Sequence, residues 1–186
     1  KGPTTMTVTA PNVGVTTSTP VVIRGTTMDI SAGTKQQAQA ANFPQGVPCV
    51  SDTSMSDWME YVYMQQPCPT NVTGVPVSID VLDSNGNYRN IGKTSSDGSG
   101  TFAFNWTPDI PGDFTVIATF EGSASYYPSN SETHFTASIP APTASPVATA
   151  APSMADQYFL PSVVGIVVVL IIIVALQAIM LLRKRP

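Results

Sequence analysis

Apolar and polar residues alternate in seven short runs within the first 140 positions, a period of two that is typical of half-buried β-strands. The clearest run is VPVSIDVL at residues 75–82, in which every second residue is a branched aliphatic. Turn residues separate the runs, and the Asn-Gly step within residues 83–87 is a strong hairpin signal. The pattern predicts strands at residues 4–9, 20–28, 75–82, 88–94, 101–107, 114–120 and 132–138. Seven short strands at near-regular spacing favour a β-sandwich.

The alternation is interrupted over residues 29–70, which we interpret as an insertion into the sandwich. From about residue 53 to residue 66, apolar side chains recur at steps of three and four, as in an amphipathic helix, and Pro67 ends the pattern. The stripe that we expect to pack on the sheet consists of Met55, Trp58, Met59 and Val62.

The opposite face of this helix carries two large apolar side chains, Tyr61 and Met64, beside the acidic residues Asp57 and Glu60. Tyrosine and methionine are enriched at protein interfaces, whereas charged groups move to the rim. We therefore predict that these four residues contact a protein partner. In the alternative, residues 31–47 fold over this face and make Tyr61 and Met64 part of a core.

A continuous apolar run, LPSVVGIVVVLIIIVALQAIMLL, occupies residues 160–182 and contains no charge and one strongly polar side chain, Gln177. As a helix it is about 34 Å long, enough for a hydrocarbon core of about 30 Å. The run predicts a transmembrane helix over residues 158–182, with Pro161 in its first turn and membrane lipid around residues 160–182. Residues 139–157 are rich in Pro, Ala and Thr and are predicted to form a stalk.

Three cations follow the apolar run directly: Arg183, Lys184 and Arg185. By the positive-inside rule, residues 183–186 are cytoplasmic and the N-terminus is outside. We therefore predict a single-pass protein of the cell membrane with an extracellular N-terminal part. Since no signal peptide opens the chain, we expect either a cleaved N-terminus or a fragment of a longer protein. A tail-anchored cytosolic protein would leave the basic end on the wrong side.

Charge narrows the class of partner. Five of the eight basic residues and all twelve acidic residues precede the apolar run, which gives that part a formal charge of −7. Such a surface repels a phosphate backbone, so nucleic-acid binding is not expected.

Residues suited to catalysis or to metal binding are scarce. The one histidine, His134, lies on the predicted outer face of the last strand, and a structural metal site needs about four ligands. The chain has no catalytic triad in a plausible context and no glycine-rich phosphate loop. We therefore predict no enzymatic activity, no cofactor and no metal.

Two cysteines, Cys49 and Cys68, bracket the predicted helix. In an oxidising exterior such a pair most often forms a disulfide, which would stabilise the fold by about 3 kcal/mol. We predict that this disulfide clamps an insertion that lacks a core of its own. The chain also has N-glycosylation sequons at Asn71, in a loop, and at Asn105, which is expected to point outward from a strand.

Two stretches resemble known protein families. Residues 97–129, which begin with DGSGTFAFNWTP and end with YYPS, look like the final strands of bacterial-type Ig-like domains in archaeal surface proteins. CVSDTSMSDWMEYVYMQQPCP, at positions 49–69, is similar to an insertion in the C-terminal region of archaeal cell-surface proteins with PQQ-like β-propeller repeats. Those proteins also end in a Pro/Thr/Ser-rich linker, one membrane span and a basic tail. The resemblance implies an Ig-like sandwich over residues 1–138 and a propeller upstream of Lys1, and it places no cofactor residue on this chain.

These features predict a membrane-anchored extracellular binding or structural module, the C-terminal anchor part of a longer archaeal surface protein. Its expected partner is another protein or the upstream propeller. Two alternatives remain open at this point: an accessory single-span subunit of a membrane enzyme or transport complex, and the tether of an upstream propeller enzyme.

Overall fold

The computed structural model describes residues 1–142 and 153–183, and the chain divides into two units, Lys1–Ala141 and Pro142–Pro186. The strands are β1 (Thr4–Thr9), β2 (Val15–Thr16), β3 (Val21–Asp29), β4 (Val47–Pro48), β5 (Pro76–Leu82), β6 (Tyr88–Ser95), β7 (Thr101–Trp106), β8 (Gly112–Phe120) and β9 (Ser129–Ser138). The helices are α1 (Gln37–Asn42), α2 (Met55–Met64) and α3 (Met154–Arg183), and a 3₁₀ turn occupies Ala32–Lys35. The prediction of a mainly β protein with one long C-terminal apolar helix is confirmed.

The strands form two sheets. In the first, β3 pairs antiparallel with β1, with β7 and, at its end, with the short strand β4. In the second, the strand order is β2-β9-β8-β5-β6, with β2 parallel to β9 and the other neighbours antiparallel. The seven predicted strands are all present, whereas the two-residue strands β2 and β4 are too short to show a period and were not predicted.

One hydrophobic core joins the two sheets. The first sheet contributes Ile23 and Phe102, and the second contributes the alternate residues of β5 together with Phe114 and Phe135. The prediction that Val75, Val77, Ile79 and Val81 share an inward face is confirmed, since all four side chains are fully buried.

Two glycines let aromatic rings lie directly on the strands. A Cβ atom on Gly25 would lie 2.0 Å from the carbonyl oxygen of Thr7 and 2.4 Å from the ring of Phe102. On β6, Gly92 has a φ of 151° at a break in the β5–β6 register, and a Cβ there would lie 2.5 Å from the ring of Phe104. Both positions therefore require glycine, because any side chain would displace a core ring.

The helix α3 is longer than predicted at its N-terminal end. Because it begins at Met154, Pro161 lies inside the helix and not in its first turn, where it was expected. A proline at that place removes one backbone hydrogen bond from the helix. From Gln157 to Arg183 the helix is long and apolar enough to cross a membrane. Residues 143–152 of the predicted stalk, and Lys184 and Arg185 of the basic tail, lie outside the described residues.

Candidate interaction site in the helical insertion

The insertion between β3 and β5 has a small hydrophobic core of its own, contrary to expectation. Its buried residues are Val47, Val50, Trp58 and Val62, against which Phe43, Met55, Met59, Tyr61 and Val72 pack. Met55 also packs against the core of the two sheets. The predicted inward stripe of α2 is therefore directed toward two adjoining cores, and Met55 connects them.

An aromatic trio closes the insertion core on the α1 side. The ring centroids of Phe43 and Trp58 lie 5.8 Å apart, those of Phe43 and Tyr61 lie 5.9 Å apart, and those of Trp58 and Tyr61 lie 5.5 Å apart. The side-chain amide of Gln39 in α1 donates a hydrogen bond of 3.1 Å to the carbonyl oxygen of Val62 in α2. Residues from the segment 31–47 thus cover Tyr61, as the alternative interpretation of this face expected.

The four predicted contact residues do not share one surface. Tyr61 is half-buried beneath Phe43, whereas Met64 is 67% exposed and Asp57 and Glu60 are exposed. The exposed part of the predicted site is therefore acidic with a single methionine.

The first turn before α2 is held to the β8–β9 loop by Asp52. Its carboxylate accepts hydrogen bonds from the hydroxyl of Ser123 at 2.9 Å and from the amides of Ala124 and Ser125 at 2.9 and 3.0 Å. Hydrogen bonding from Ser125 and then from the Ala124 amide, with a smaller contribution from Ser123, lowers the pKa of Asp52 to about 2. This contact joins residues more than 70 positions apart, so no local sequence signal could have revealed it.

The same turn is also joined to the segment that leads into β5. The amide of Ser51 donates to the carbonyl of Thr73 at 2.8 Å, and the hydroxyl groups of Ser51 and Thr73 lie 2.6 Å apart. Val50 and Gly74 form an isolated β-bridge. The start of α2 is thus fixed from two directions by hydrogen bonds.

The predicted disulfide is not seen, and both cysteines are free. The amide of Cys49 bonds to the carbonyl of Thr27 at 3.1 Å, and its side chain is fully buried in the core of the two sheets. Cys68 follows α2 on the surface. The prediction failed because spacing along the chain does not show on which side of the backbone each sulfur lies. Burial, with a further contribution from Asp29, raises the pKa of the Cys49 thiol.

A buried polar group lies beside Cys49. Tyr126 is 1% exposed, and its hydroxyl has no hydrogen-bond partner within the described residues. Burial is the main cause that raises the pKa of Tyr126, and Cys49 raises it further. Asp29, which is also buried, accepts hydrogen bonds from the amide and the hydroxyl of Ser31, the former at 2.7 Å. The carboxyl group of Asp29, the thiol of Cys49 and the phenol of Tyr126 are therefore close to one another but shielded from solvent.

An open groove of about 510 Å³ runs beside the first half of α2. It is lined by Thr53, Ser54, Asp57, Pro69, Thr70, Asn71, Val72 and Thr73. The first sequon therefore borders this groove, and its asparagine is exposed. The second, Asn105, is exposed on β7, where it pairs with Val22.

The one histidine of the sequence, His134, is exposed on β9 as predicted, and its Nδ1 lies 2.9 Å from the hydroxyl of Thr115. Within residues 1–142 and 153–183, no three His, Cys, Asp or Glu side chains form a group that could hold a metal ion. The geometry of this part of the chain thus offers exposed carboxylates and a polar groove.

No protein-family model and no curated protein matches this chain. Among solved structures, it is similar to the superoxide reductase (neelaredoxin) from Ignicoccus hospitalis, in three structures with a TM-score of 0.41 and 8% or 9% sequence identity. The match covers 72% of this chain and 80% of theirs. The prediction that the chain is not an enzyme is corrected by this finding, since the similar structures are enzymes by name. So low a TM-score carries no argument about what this chain does.

Proposed function

We propose that this chain is a membrane-anchored extracellular module, in which an Ig-like β-sandwich presents the insertion to a protein partner. The observation that carries the proposal is the occurrence, in one chain, of a β domain with its own core and of an apolar helix of 27 residues from Gln157 to Arg183. A helix that is apolar on every face is stable in lipid and not in water.

The strand order supports the Ig-like assignment. An immunoglobulin sandwich has strands A, B and E as neighbours in one sheet and C, F and G as neighbours in the other. Here β1, β3 and β7 have the order A-B-E, and β5, β8 and β9 have the order C-F-G. The strand β6, next to β5, takes the place of an added C′ strand.

Three features support an extracellular position for the sandwich. Arg183, with Lys184 and Arg185 after it in the sequence, marks the C-terminal side of the span as cytoplasmic. The sequon residues Asn71 and Asn105 are both exposed, which makes each of them accessible to glycosylation. The excess of acidic residues keeps such a domain soluble outside the cell.

The contact surface consists of Asp57, Glu60 and Met64 together with the groove beside Asp57. Exposed carboxylates next to one apolar side chain fit a basic protein surface with an apolar centre. The hydrogen bonds of Asp52 and Ser51 hold α2 in place before binding, which lowers the cost of ordering on association.

The proposal is tested by extracting cell membranes at alkaline pH and by adding protease outside intact cells. We expect the full chain to stay in the membrane fraction and the added protease to release residues 1–140. A truncation after Ala141, at the boundary between the two units, is the matched control and should be recovered as soluble protein. Release of the full chain at alkaline pH, or protection of residues 1–140 in sealed cells, contradicts the proposal.

A further inference from the structure

Gln177 is the one strongly polar side chain between Val163 and Leu182 of α3. Its neighbours from Val163 to Leu182 are aliphatic side chains, glycine, alanine and methionine, and those described are exposed on the helix surface. Within the described residues, the Gln177 amide has no hydrogen-bond partner. Since hydrocarbon offers no such partner either, an amide at this depth stays unpaired unless another protein group meets it.

The polar headgroups at the basic end of the helix do not provide a hydrogen-bond partner for the Gln177 amide. Gln177 lies six residues before Arg183, about 9 Å along the axis at 1.5 Å per residue. In a helix, Cα–Cβ bonds tilt toward the N-terminus, so this side chain is directed away from the cationic end and toward the middle of the span. A long lysine or arginine can reach the headgroups from such a depth, but the shorter glutamine that starts in the opposite direction cannot.

A carboxamide is self-complementary, because it carries both a carbonyl acceptor and an N–H₂ donor. In a parallel pair of identical helices related by a two-fold axis, the same residue of each copy lies at the same depth and faces its counterpart. Since the basic tail orients every copy alike, a second copy is the partner that always brings an amide to this level.

The residues on the same side of the helix fit such a pair. Steps of three and four connect the stripe Val163, Ile166, Leu170, Ile173, Gln177 and Met180. This is the heptad spacing of a left-handed helix pair, in which a single polar residue sets register and oligomeric state.

We propose that α3 forms a parallel homodimer in the membrane, with the Gln177 amides of two copies hydrogen-bonded to each other across the stripe. This inference rests on the proposed function, because it requires α3 to span the bilayer.

The full chain, reconstituted into phosphatidylcholine vesicles, tests this inference by energy transfer between labelled copies. Cys68 is exposed and Cys49 is buried, so a thiol dye marks a single position on the native protein. We expect the wild type to dimerise and Gln177→Leu to weaken dimerisation about five- to thirty-fold, the range for an interhelical polar pair in model peptides. Gln177→Asn, which keeps an amide, should retain most of the affinity. Val168→Ala, on the side of the helix opposite the stripe, should change it little.

A wild type that stays inserted but monomeric at every protein-to-lipid ratio overturns the dimer and leaves the membrane anchor intact. Equal affinity of Gln177→Leu and the wild type also overturns it. Alkaline extraction of the same vesicles distinguishes a failure of the dimer from a failure of the membrane anchor. A chain that washes out contradicts both the anchor and the dimer.

Discussion

At the scale of single residues, hydrogen-bonding side chains and not a disulfide fix the insertion. Asp52 receives three hydrogen bonds from the β8–β9 loop, and Ser51 is paired with Thr73. The charge-assisted bonds of Asp52 are stronger than neutral ones, although solvent exposure weakens them here. The two cysteines are not joined: Cys49 packs in the core of the two sheets, and Cys68 lies on the surface.

We predict that Asp52→Asn lowers the free energy of unfolding by about 1 kcal/mol, because the amide replaces one charged acceptor oxygen with a donor. Chemical denaturation near neutral pH measures this. The control is Asp57→Asn on the exposed face of α2, which should change stability by less than about 0.5 kcal/mol.

The contribution of Asp52 also depends on pH. Because its pKa is lowered to about 2 in the folded protein, the stabilisation is complete above the unfolded value near 4 and is lost as the pH falls through 2. The stability difference between Asp52→Asn and the wild type should therefore shrink below about pH 4. A difference that is the same at pH 2 and pH 7 would show that the charge of Asp52 is not the cause.

The cysteines give a second prediction at this scale. In the native protein, Cys68 should react with a thiol reagent quickly, whereas Cys49 should react only after unfolding, because it is fully buried and its thiol has a raised pKa. Alkylation followed by peptide mass analysis measures both rates. Recovery of a Cys49–Cys68 disulfide from native protein under non-reducing conditions would falsify this prediction.

At the scale of elements, the burial of each face of α2 depends on which segments of the chain pack against it. Trp58 and Val62 face the insertion core as their spacing indicates, and Phe43 from the preceding segment also covers Tyr61. Met64, one turn further on, stays outside this cover. The two residues that the sequence pairs as one patch therefore have different roles.

We predict that Tyr61→Ser lowers the free energy of unfolding by about 2 kcal/mol, less than for a fully buried aromatic side chain because Tyr61 is half-buried. Met64→Ser is the matched variant and should change it by no more than about 0.5 kcal/mol. Thermal or urea unfolding of residues 1–141 compares the two. Equal destabilisation by both changes would show that Phe43 does not cover Tyr61 selectively.

At the scale of the whole molecule, the chain is a β domain and a membrane-length helix with separate requirements for solvent. The domain buries its apolar residues within Lys1–Ala141, whereas the described side chains of α3 are exposed along their whole length. The first unit therefore has a buried apolar core that is stable in water, and the second is a helix long and apolar enough to cross a membrane.

We expect residues 1–141, produced without α3, to fold with the same midpoint of thermal unfolding as the domain in the full chain, within about 2 °C. Circular dichroism of the fragment and of the full chain in detergent measures both midpoints. A fragment that is unfolded or that melts far below the full chain would show that the domain depends on residues beyond Ala141.

The sequence by itself determined the features that depend on local periodicity. A period of two places Val77 and Val81 on one face of β5 whatever surrounds them, and a long uncharged run such as residues 160–182 has no stable place in water. Both were predictable because each follows from the geometry of one element.

The tertiary structure alone decided which residues meet across long stretches of chain. The cover of Phe43 over Tyr61, the direction of Cys49 into the core of the sheets and the contact of Asp52 with the β8–β9 loop each join segments that no period relates. Such contacts arise because each buried group competes for the same core space and each polar group needs a partner within hydrogen-bond distance. That competition is settled by the packing of all elements together.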